Sequence, residues 1–400
     1  MKNKYVRIGT QYFKLVEKPS VFGAGTIVRI PWNYDTLKRD HGVEFINKIP
    51  KYDGEICVPE HLNLKFDYHG FFNVYSPLTH VSAQGECPVS IEFLNHIFGS
   101  QIELGLDYLQ ILYVKPMQIL PILCLVSKDR ITGKSTFLKW MKLIFQKNST
   151  YLNNDSFNSN FNADWVNRLL IMLDEVLINK DEITERMKNL STANEFKLES
   201  KGVNRTDTEF FGKFILCSNN ETDFIKIDQE EVRFWVLKIP RLTVENTEIL
   251  SLLEAEIPFF LNFLSSRKLS TSPETRMWFT PEQIQTKALL RLKLASSPKL
   301  IQEIALALLD AMDFMDEDSI KVIPNDVINL LGPSKKNASS NDVRKVLRET
   351  WSLIAQKNSF PYSRPVLHNS NTYVMQESKG RYFEIERKFL EAKFDVLMTE

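Results

Sequence analysis

The feature that most constrains this chain is a polar loop between an apolar run and an amphipathic segment. The apolar run covers residues 119–126, and the loop ends in Gly133, Lys134, Ser135 and Thr136. Backbone N–H groups at the start of a helix attract anions, a glycine lets the backbone approach them, and a lysine reaches terminal phosphates. The sequence therefore predicts a strand, a phosphate-binding loop and a helix over residues 134–145.

This loop departs from the usual pattern GxxxxGK[ST], because Lys128 stands where the first glycine is expected. That glycine shapes the loop and supplies no reacting group, so the departure concerns the rate of catalysis more than binding. A GK[ST] triplet also occurs in ordinary loops before helices, so the downstream segments decide between the two interpretations. The residues expected to bind ATP are Thr132, Gly133, Lys134, Ser135 and Thr136.

Two carboxylates follow a second apolar run, residues 169–173, at the point where the run ends. They belong to Asp174 and Glu175. Ligands of open α/β sheets bind beyond the carboxyl ends of the strands. One carboxylate, Asp174, can hold Mg²⁺ together with Ser135, and the next can polarise an attacking water. We therefore predict a catalytic acidic pair, against the alternative of two surface acids after a strand.

A third apolar run, residues 214–217, is followed by Ser218, Asn219 and Asn220. A neutral amide at the end of a strand can orient the attacking water or touch the γ-phosphate without adding a competing charge. We assign this sensor role to Asn219. The alternative is an ordinary Asn-rich turn.

A downstream arginine, Arg233 in the segment EEVRFWVLKIP, is a candidate arginine finger. A guanidinium offered to the γ-phosphate of a neighbouring subunit would stabilise charge in the transition state. Arg241 and Arg130 are alternative sources of that charge. A surface salt bridge from Arg233 to Glu230 or Glu231 is the structural alternative.

Strands and helices alternate through the middle of the chain, which predicts an α/β core with parallel strands. Residues 1–95 instead mix short alternating runs with Pro, Gly and aromatic turns, typical of an α+β accessory domain. We therefore expect an N-terminal accessory domain, residues 1–95, and a P-loop nucleotide-binding domain, residues 96–265.

The last third of the chain, residues 266–400, begins with a stretch typical of a linker. Three helical segments follow, the last over residues 342–357, and then two strand-like runs around residues 373–376 and 382–385. Three helices followed by a hairpin are the layout of a winged helix, so we predict a C-terminal winged-helix-like domain.

Composition narrows the classes of protein that are compatible with the sequence. Lys and Arg together number 50, as do Asp and Glu, so contacts with nucleic acid would have to come from local patches. The four cysteines form no CxxC pair, which argues against a zinc ribbon or a disulfide framework. The run at residues 119–126 is far shorter than the roughly 20 residues of a membrane helix, and the N-terminus lacks a signal peptide's apolar core. We expect a cytoplasmic protein without a membrane partner.

The order of these motifs resembles that of superfamily 3 helicases, and residues 5–279 look more closely like the helicase part of phage and mobile-element primase-helicases. The segments that carry the resemblance are FFNVYSPLTH, FLNHIFG, LDYLQILYVKP, LPILCLVSKDRITGKSTFLKWM, LLIMLDEV and FILCSNN. The resemblance implies an AAA+-like core that assembles as a hexameric ring, binds ATP between subunits and moves 3′ to 5′ along one strand.

The resemblance also assigns roles to residues of this sequence. Lys134 and Ser135 match the positions that bind phosphate and Mg²⁺, and the remaining matches are Asp174 and Glu175 for the acidic motif, Asn219 for the sensor and Arg233 for the finger.

The segment NEFKLESKGVNRTDTEFF has the pattern of a hairpin, and the corresponding hairpin of the family lines the central pore and grips the phosphates of the strand. Its candidate nucleic-acid contacts are Lys197, Lys201 and Arg205. A solvated loop is the alternative, because Glu199 and Asp207 lie among these cations.

The sequence thus predicts an ATPase that acts as a DNA helicase or translocase in the replication of a phage or mobile element, in the cytoplasm of a bacterial host if phage-encoded. We expect a homo-hexamer on single-stranded or forked DNA, with a primase or polymerase as a candidate partner, since no carboxylate set for primer synthesis is found. The alternative is a replication initiator or loader that uses nucleotide as an assembly switch, which Lys128 favours. A P-loop ATPase of host defence or DNA packaging is a third hypothesis, for which no nuclease motif is visible.

Overall fold

The computed structural model describes residues 4–19, 26–153, 157, 162–178, 181–198, 206–296, 298–332, 338–369 and 372–394. The chain divides into two compact units. The first consists of Met1–Ile225 with Val232–Gln285, and the second of Lys226–Glu231 with Thr286–Glu400. The domain boundaries that we predict at residues 95 and 265 stay predictions.

The first unit begins with two small sheets and two short helices. Their elements are β1 (Tyr5–Ile8), β2 (Gln11–Lys18), β3 (Thr26–Trp32), α1 (Tyr34–His41), α2 (Val43–Asn47), β4 (Lys51–Tyr52), β5 (Gly54–Ile56), β6 (Asp67–Tyr68) and β7 (Phe71–Asn73). The order β3-β2-β1-β4 makes one sheet, and β5-β7-β6 makes the other. Successive residues of β1 point to opposite faces, so Tyr5 packs with Leu37 in one small core while Val6 packs with Phe72 in another.

The rest of the first unit is an α/β core. Its helices are α3 (Pro88–Phe98), α4 (Ile102–Val114), α5 (Lys134–Phe145), α6 (Asp181–Ser191) and α7 (Ile249–Ser266), with 3-10 turns at Gly99–Gln101 and Gln146–Asn148. Its strands are β8 (Ile122–Val126), β9 (Ser149–Tyr151), β10 (Leu170–Leu173), β11 (Glu195–Leu198), β12 (Thr206–Glu209), β13 (Lys213–Ser218) and β14 (Phe234–Lys238).

Five of these strands form one sheet in the order β14-β8-β13-β10-β9, and every neighbouring pair is parallel. All residues of β8, β10 and β13 are buried. Parallel sheets need cover on both faces, which explains why these strands read as continuous apolar runs in the sequence. The predicted α/β core with parallel strands is confirmed. We predicted a hairpin between the acidic pair and Asn219. Its two strands are confirmed, because β11 and β12 pair antiparallel.

The stretch that we predicted as a linker, residues 269–283, is instead part of the first unit and contributes to its core. Trp278 and Phe279 are almost completely buried in the core that also holds α4 and α7. Asp107 of α4 is fully buried and accepts hydrogen bonds from Ser270 N (3.1 Å) and Thr271 N (2.7 Å). The sequence LSTSPETRMWFTPEQ has the composition of a linker. Its aromatic residues nevertheless pack in the core, and two of its backbone N–H groups donate to a buried carboxylate.

Arg267, at the end of α7, completes this network. Its guanidinium pairs with Asp107, donates to Gln110 Oε1 (2.8 Å) and pairs with Glu103 Oε2 (2.8 Å). Burial raises the pKa of Asp107, but hydrogen bonds from Thr271, Arg267 and Ser270 outweigh this effect and leave the pKa below its usual value. The network therefore holds the ionised carboxylate in the core.

Helix α7 is, among the described residues, long and apolar enough to cross a membrane, with a mean hydropathy of 1.3. Its buried residues, including Leu253, Ile257 and Phe260, lie in the main core, where the helix packs against α3, α4 and α5. An apolar helix that packs one face into a folded core can have the length and composition of a membrane span.

The second unit contains α8 (Lys287–Ala295), α9 (Lys299–Met315), β15 (Ser319–Val322), α10 (Pro324–Leu331), α11 (Ser340–Lys345), a π-helical turn (Val346–Thr350), β16 (Phe360–Asn369), β17 (Thr372–Gly380), β18 (Phe383–Glu386) and α12 (Arg387–Phe394). A compact apolar core, with Ile304, Leu308 and Val327 among its members, joins α9 and α10. The winged-helix assignment stays a prediction.

Two details of our prediction for this unit are wrong. The helix expected over residues 342–357 gives way to the π-helical turn and then to irregular chain, because Trp351 turns into the core and Ser352 has a φ of 54°. The strands expected to form one hairpin have other partners, since β17 pairs with β16 and β18 pairs with β15. We did not predict β16, because it contains Pro361 and Pro365 and proline is rare inside sheets.

We predict that Asp107→Ala lowers the free energy of unfolding by about 3–5 kcal/mol, because it leaves the largely buried Arg267 guanidinium without its buried partner. Denaturant unfolding measures this loss. Because the folded carboxyl has a lowered pKa, its stabilisation is present above the usual value of 3.8 and is lost as the pH falls through the folded value.

The matched control is Glu103→Ala, which removes the exposed partner of the same arginine. We expect a loss within about 1 kcal/mol, as for other exposed ion pairs. Equal losses in the two variants would contradict the role assigned to Asp107.

Candidate functional site

The polar segments singled out in the sequence meet at one edge of the central sheet. Strand β13 lies between β8 and β10, and all three are parallel. The ladder continues beyond the strands, since Ser127 N–H donates to Ser218 O (3.2 Å) and Val176 N–H donates to Cys217 O (2.9 Å). The loop after β8, the acidic pair after β10 and the amide after β13 are therefore held side by side.

The loop after β8 owes its shape to two residues in left-handed backbone conformation. Gly133 has a φ of 84° and Ile131 a φ of 57°. A side chain at Gly133 would also crowd Phe93, whose ring lies 3.1 Å from the position of a Cβ. His96, one helical turn after Phe93 on α3, lies with its Nε2 2.9 Å from Thr132 O. Helix α3 thus supports the loop from outside, and α5 begins directly at Lys134 as predicted.

The Lys134 side chain is buried within this loop. Its Nζ donates to Ser127 O (3.3 Å) and Thr132 Oγ1 (3.1 Å). Burial lowers the pKa of Lys134, while the neighbouring Asp174 and Glu221 act in the opposite direction. The ammonium group is therefore close to carboxylates and bonded to neutral oxygens, which a phosphate could replace.

The acidic pair lies at the end of β10 with both side chains exposed. Glu175 has a φ of 55°, which residues other than glycine seldom adopt, and its N–H donates to Asp174 Oδ1 (3.1 Å). The negative charge of Asp174 also affects Tyr151 on the neighbouring β9. Burial and then this charge raise the pKa of Tyr151 to about 12. This sharp turn leaves the two carboxylates at the edge of the sheet where the loop lies.

The two asparagines after β13 have different environments. Asn220 Oδ1 accepts from Thr222 N (3.0 Å) and Asp223 N (2.8 Å), so its side chain shapes the turn. Asn219 is exposed at the end of the strand, between the loop and the acidic pair. Its position is compatible with the sensor role, which stays a prediction.

Glu221 is a site residue that our sequence analysis missed. It is buried, accepts from Lys128 N–H (3.0 Å) and pairs with Lys238 Nζ at the end of β14 (3.0 Å). Burial raises the pKa of Glu221, but the bonds from Lys128 and Lys238 outweigh it and lower the pKa. Glu221 thus fixes the loop at the position where the expected glycine is missing, and no local motif marks it because its partners are remote in sequence.

Arg233 lies at the opposite edge of the sheet. It directly precedes β14, and its carbonyl accepts from Ile122 N–H at the start of β8 (2.8 Å). Since five strand residues extend roughly 16 Å, Arg233 does not reach Lys134 of its own chain. Arg241, the alternative, follows β14 at the loop edge and lines a cavity of about 470 Å³ with Ile131.

Magnesium would find few protein ligands here. Ser135 is exposed in the first turn of α5, and Asp174 is exposed across the edge of the sheet. Among the residues that the structure describes, no group of three or more His, Cys, Asp or Glu side chains could hold a metal ion. Mg²⁺ bound to proteins usually keeps several waters and uses one or two carboxylates, so this pair of groups fits it.

The three predicted nucleic-acid contacts are only partly visible. Lys197 on β11 forms an ion pair with Asp207 of β12 (2.8 Å), and both side chains are exposed. Lys201 and Arg205 lie outside the described residues. The charge of Lys197 is therefore balanced within the hairpin.

Comparisons with known proteins agree with this architecture. Residues 125–233, which span the loop, the acidic pair and Asn219, match a family of unknown function (DUF5906). No curated protein sequence matches the chain. The apo structure of the C-terminal region of NrS-1 is 15% identical with a TM-score of 0.59, over 88% of this chain and 92% of that chain. A second apo structure of that region, the A form, is 16% identical with the same TM-score, over 94% of each chain. At these identities the likeness shows a shared fold.

We predict that Glu221→Ala lowers the free energy of unfolding by about 1–3 kcal/mol, because it removes the charged acceptor of the hydrogen bond from the Lys128 N–H. We also expect ATP binding to weaken by roughly tenfold, since the loop loses its anchor. Denaturant unfolding and titration calorimetry measure the two effects. The stability difference is present above the usual pKa of 4.5 and shrinks as the pH falls through the lower folded value.

Glu254→Ala on α7 is the matched control, because Glu254 is an exposed glutamate on the same unit. It should change neither quantity. A variant at Glu221 that folds normally and binds ATP as tightly as the wild type would show that the loop does not need this anchor.

Proposed function

We propose that this chain is an ATPase of the P-loop type that works as a helicase or translocase on nucleic acid. The observation that carries the proposal is the insertion of β13 between β8 and β10, which lines up the loop, an amide and two carboxylates at one edge of a parallel sheet. Ligands of such sheets bind at this edge. The chain shares its fold with the C-terminal region of NrS-1, and this likeness supports the fold on which the proposal rests.

The proposed chemistry adds water to the γ-phosphorus of ATP and releases ADP and phosphate. Lys134 exchanges its bonds to Ser127 O and Thr132 Oγ1 for phosphate oxygens. Glu175 polarises the attacking water and Asn219 orients it. Ser135 and Asp174 would hold Mg²⁺, which neutralises charge on the phosphates.

If Arg233 is the arginine finger of the proposed ATPase, its position requires an oligomer. A finger at the far edge of the sheet cannot serve the site of its own chain, so it would act on the site of a neighbour. The resemblance to superfamily 3 helicases makes that assembly a homo-hexamer. A winged-helix-like unit at the C-terminal end would add contacts to DNA.

The substrate of the proposed motor is single-stranded or forked DNA during the replication of a phage or mobile element. The hairpin formed by β11 and β12 would approach the strand, with Lys201 and Arg205 as its cations. A separate primase or polymerase would supply or extend primers. The protein would act in the cytoplasm of the bacterial host.

A second candidate function is a replication initiator or loader that binds ATP and hydrolyses it slowly. Two observations favour it: Lys128 replaces a loop glycine, and Lys197 is already paired with Asp207. The two functions differ in whether single-stranded DNA stimulates turnover.

We predict that single-stranded DNA raises ATP turnover and that Lys134→Ala abolishes turnover, because the lysine charge is needed at the phosphates. A coupled phosphate-release assay measures both effects. The control is Lys139→Ala, an exposed lysine on the same helix, which should keep wild-type turnover. Wild-type turnover in Lys134→Ala would contradict the ATPase proposal. ATP turnover that single-stranded DNA does not raise would favour the replication initiator or loader.

We predict that Arg233→Ala subunits mixed with wild-type subunits reduce ATPase activity more than in proportion to their fraction, because each finger serves a neighbouring site. Steady-state turnover over a series of mixing ratios measures this effect. Arg241→Ala serves as the comparison, since Arg241 lies at the loop edge of its own chain and should give a proportional loss. A proportional loss for Arg233→Ala would argue against a finger in trans.

A further inference from the structure

A second binding site is indicated by a cleft of about 570 Å³ within the first unit. One wall is basic and consists of Lys142, Lys147 and Arg168. The other wall is apolar and includes Phe13 and Phe66, from β2 and from the segment before β6. No part of the candidate ATP site lines this cleft.

The cleft lies at the far end of α5 from the phosphate-binding loop. Lys134 is the first residue of this helix, Lys142 is in its last turn, and Lys147 is in the 3-10 turn that follows. Twelve helical residues rise about 18 Å, so the two sites are separated by the length of the helix. A ligand in the cleft would therefore be distinct from the ATP of the proposed function.

Three of the cations that line the cleft have no carboxylate partner among the described residues. Lys142 Nζ donates to Gln146 O (2.9 Å), Lys147 Nζ donates to Ile27 O, and Arg168 Nη1 donates to Lys147 O (2.8 Å). These acceptors are neutral backbone carbonyls. They satisfy hydrogen bonds and leave three positive charges uncompensated. The fourth cation, Arg29, is paired with Glu55.

These charges lie in partly buried surroundings where they repel one another. Burial, and then the charge of Arg168, lower the pKa of Lys142 to about 8. Burial also lowers the pKa of Lys147, to which Arg168 and Lys18 contribute. An anion bound between them would relieve both effects, because it compensates the charges and replaces lost hydration.

The aromatic rings of the other wall lie close to one another and to Arg29, the fourth cation of the cleft. Phe13 and Phe72 lie 5.6 and 5.7 Å from the Arg29 guanidinium carbon, and the rings of Phe66 and Phe72 are stacked with centroids 6.1 Å apart. Aromatic rings beside cations are the common platform for the bases of single-stranded nucleic acid. The volume of the cleft lies in the range that holds small organic ligands.

We propose that this cleft binds a nucleotide unit, with its phosphate against Lys142, Lys147 and Arg168 and its base against Phe13 and Phe66. The unit belongs either to a single strand or to a free nucleotide, and both present the same chemistry. The bonds of Lys142 and Arg168 to carbonyls after α5 cap the helix, but capping does not require aromatic walls or uncompensated charge. The proposal does not depend on ATP hydrolysis.

Lys147→Gln tests the proposal, because it removes one charge and keeps a hydrogen-bond donor for Ile27 O. Fluorescence anisotropy of a labelled oligothymidylate with the full chain measures strand binding, and calorimetry measures binding of thymidine monophosphate. We expect the dissociation constant to rise by about tenfold. The slope of log K against log salt should fall by about 0.7, as for one lost contact with a single strand.

Lys139→Gln is the matched control, since Lys139 is an exposed lysine on α5 outside the cleft. It should leave the dissociation constant and ATP turnover unchanged. A loss confined to the oligonucleotide identifies a strand as the ligand, and a loss confined to the monophosphate identifies a free nucleotide. No loss for either ligand overturns the proposal, and so does equal competition by inorganic phosphate, because then no base is recognised.

Photocrosslinking of the wild-type chain to an oligonucleotide with 4-thiothymidine gives a test that needs no variant. We expect crosslinked peptides that contain Phe13, Phe66 or Phe72. Crosslinks confined to other peptides would contradict the proposal. Lys134→Ala, which should lose ATP turnover, should bind the labelled oligothymidylate without ATP as tightly as the wild type, and this separates the fate of this site from that of the ATP site.

Discussion

The structure of the candidate ATP site depends on one constraint, the parallel hydrogen-bond ladder that holds β13 between β8 and β10. Neighbouring strands are about 4.8 Å apart, so the ends of β8 and β10 are separated by roughly 10 Å. Asn219 is exposed at the end of β13, between the end of the loop strand and the end of the strand that carries the acidic pair.

The loop shows how this constraint is met without the usual glycine at position 128. The backbone of Lys128 is held by the buried carboxylate of Glu221, which is itself held by Lys238 on the next strand. The anchor thus couples the loop to the ends of β13 and β14. A loop fixed by an ion pair depends on pH and on packing, whereas a glycine turn depends only on backbone conformation.

Much of the core could be predicted from the sequence, because buried strands and helices have recognisable local patterns of apolar residues. The strands β8, β10 and β13 are continuous apolar runs, and α5 has its apolar residues on one side and begins at the predicted Lys134. The strand order, the anchor at Glu221 and the edge at which Arg233 lies depend on pairing between remote segments. The core position of Trp278 and the strand with Pro361 were missed for the same reason, since long-range packing overrides a local preference for loops.

Helix α5 explains why cations gather at its far end and why the helix alone does not account for them. Its carboxyl end carries a partial negative charge of about half a unit, which stabilises nearby cations. Three full positive charges, on Lys142, Lys147 and Arg168, exceed that partial charge several times over. These three cations line the same cleft as the aromatic rings, and none of them is paired with a carboxylate of the described residues. The two anion sites that we propose thus lie at the two ends of one helix, one at the loop that ends in Gly133 and one at the side chains of Lys142, Lys147 and Arg168.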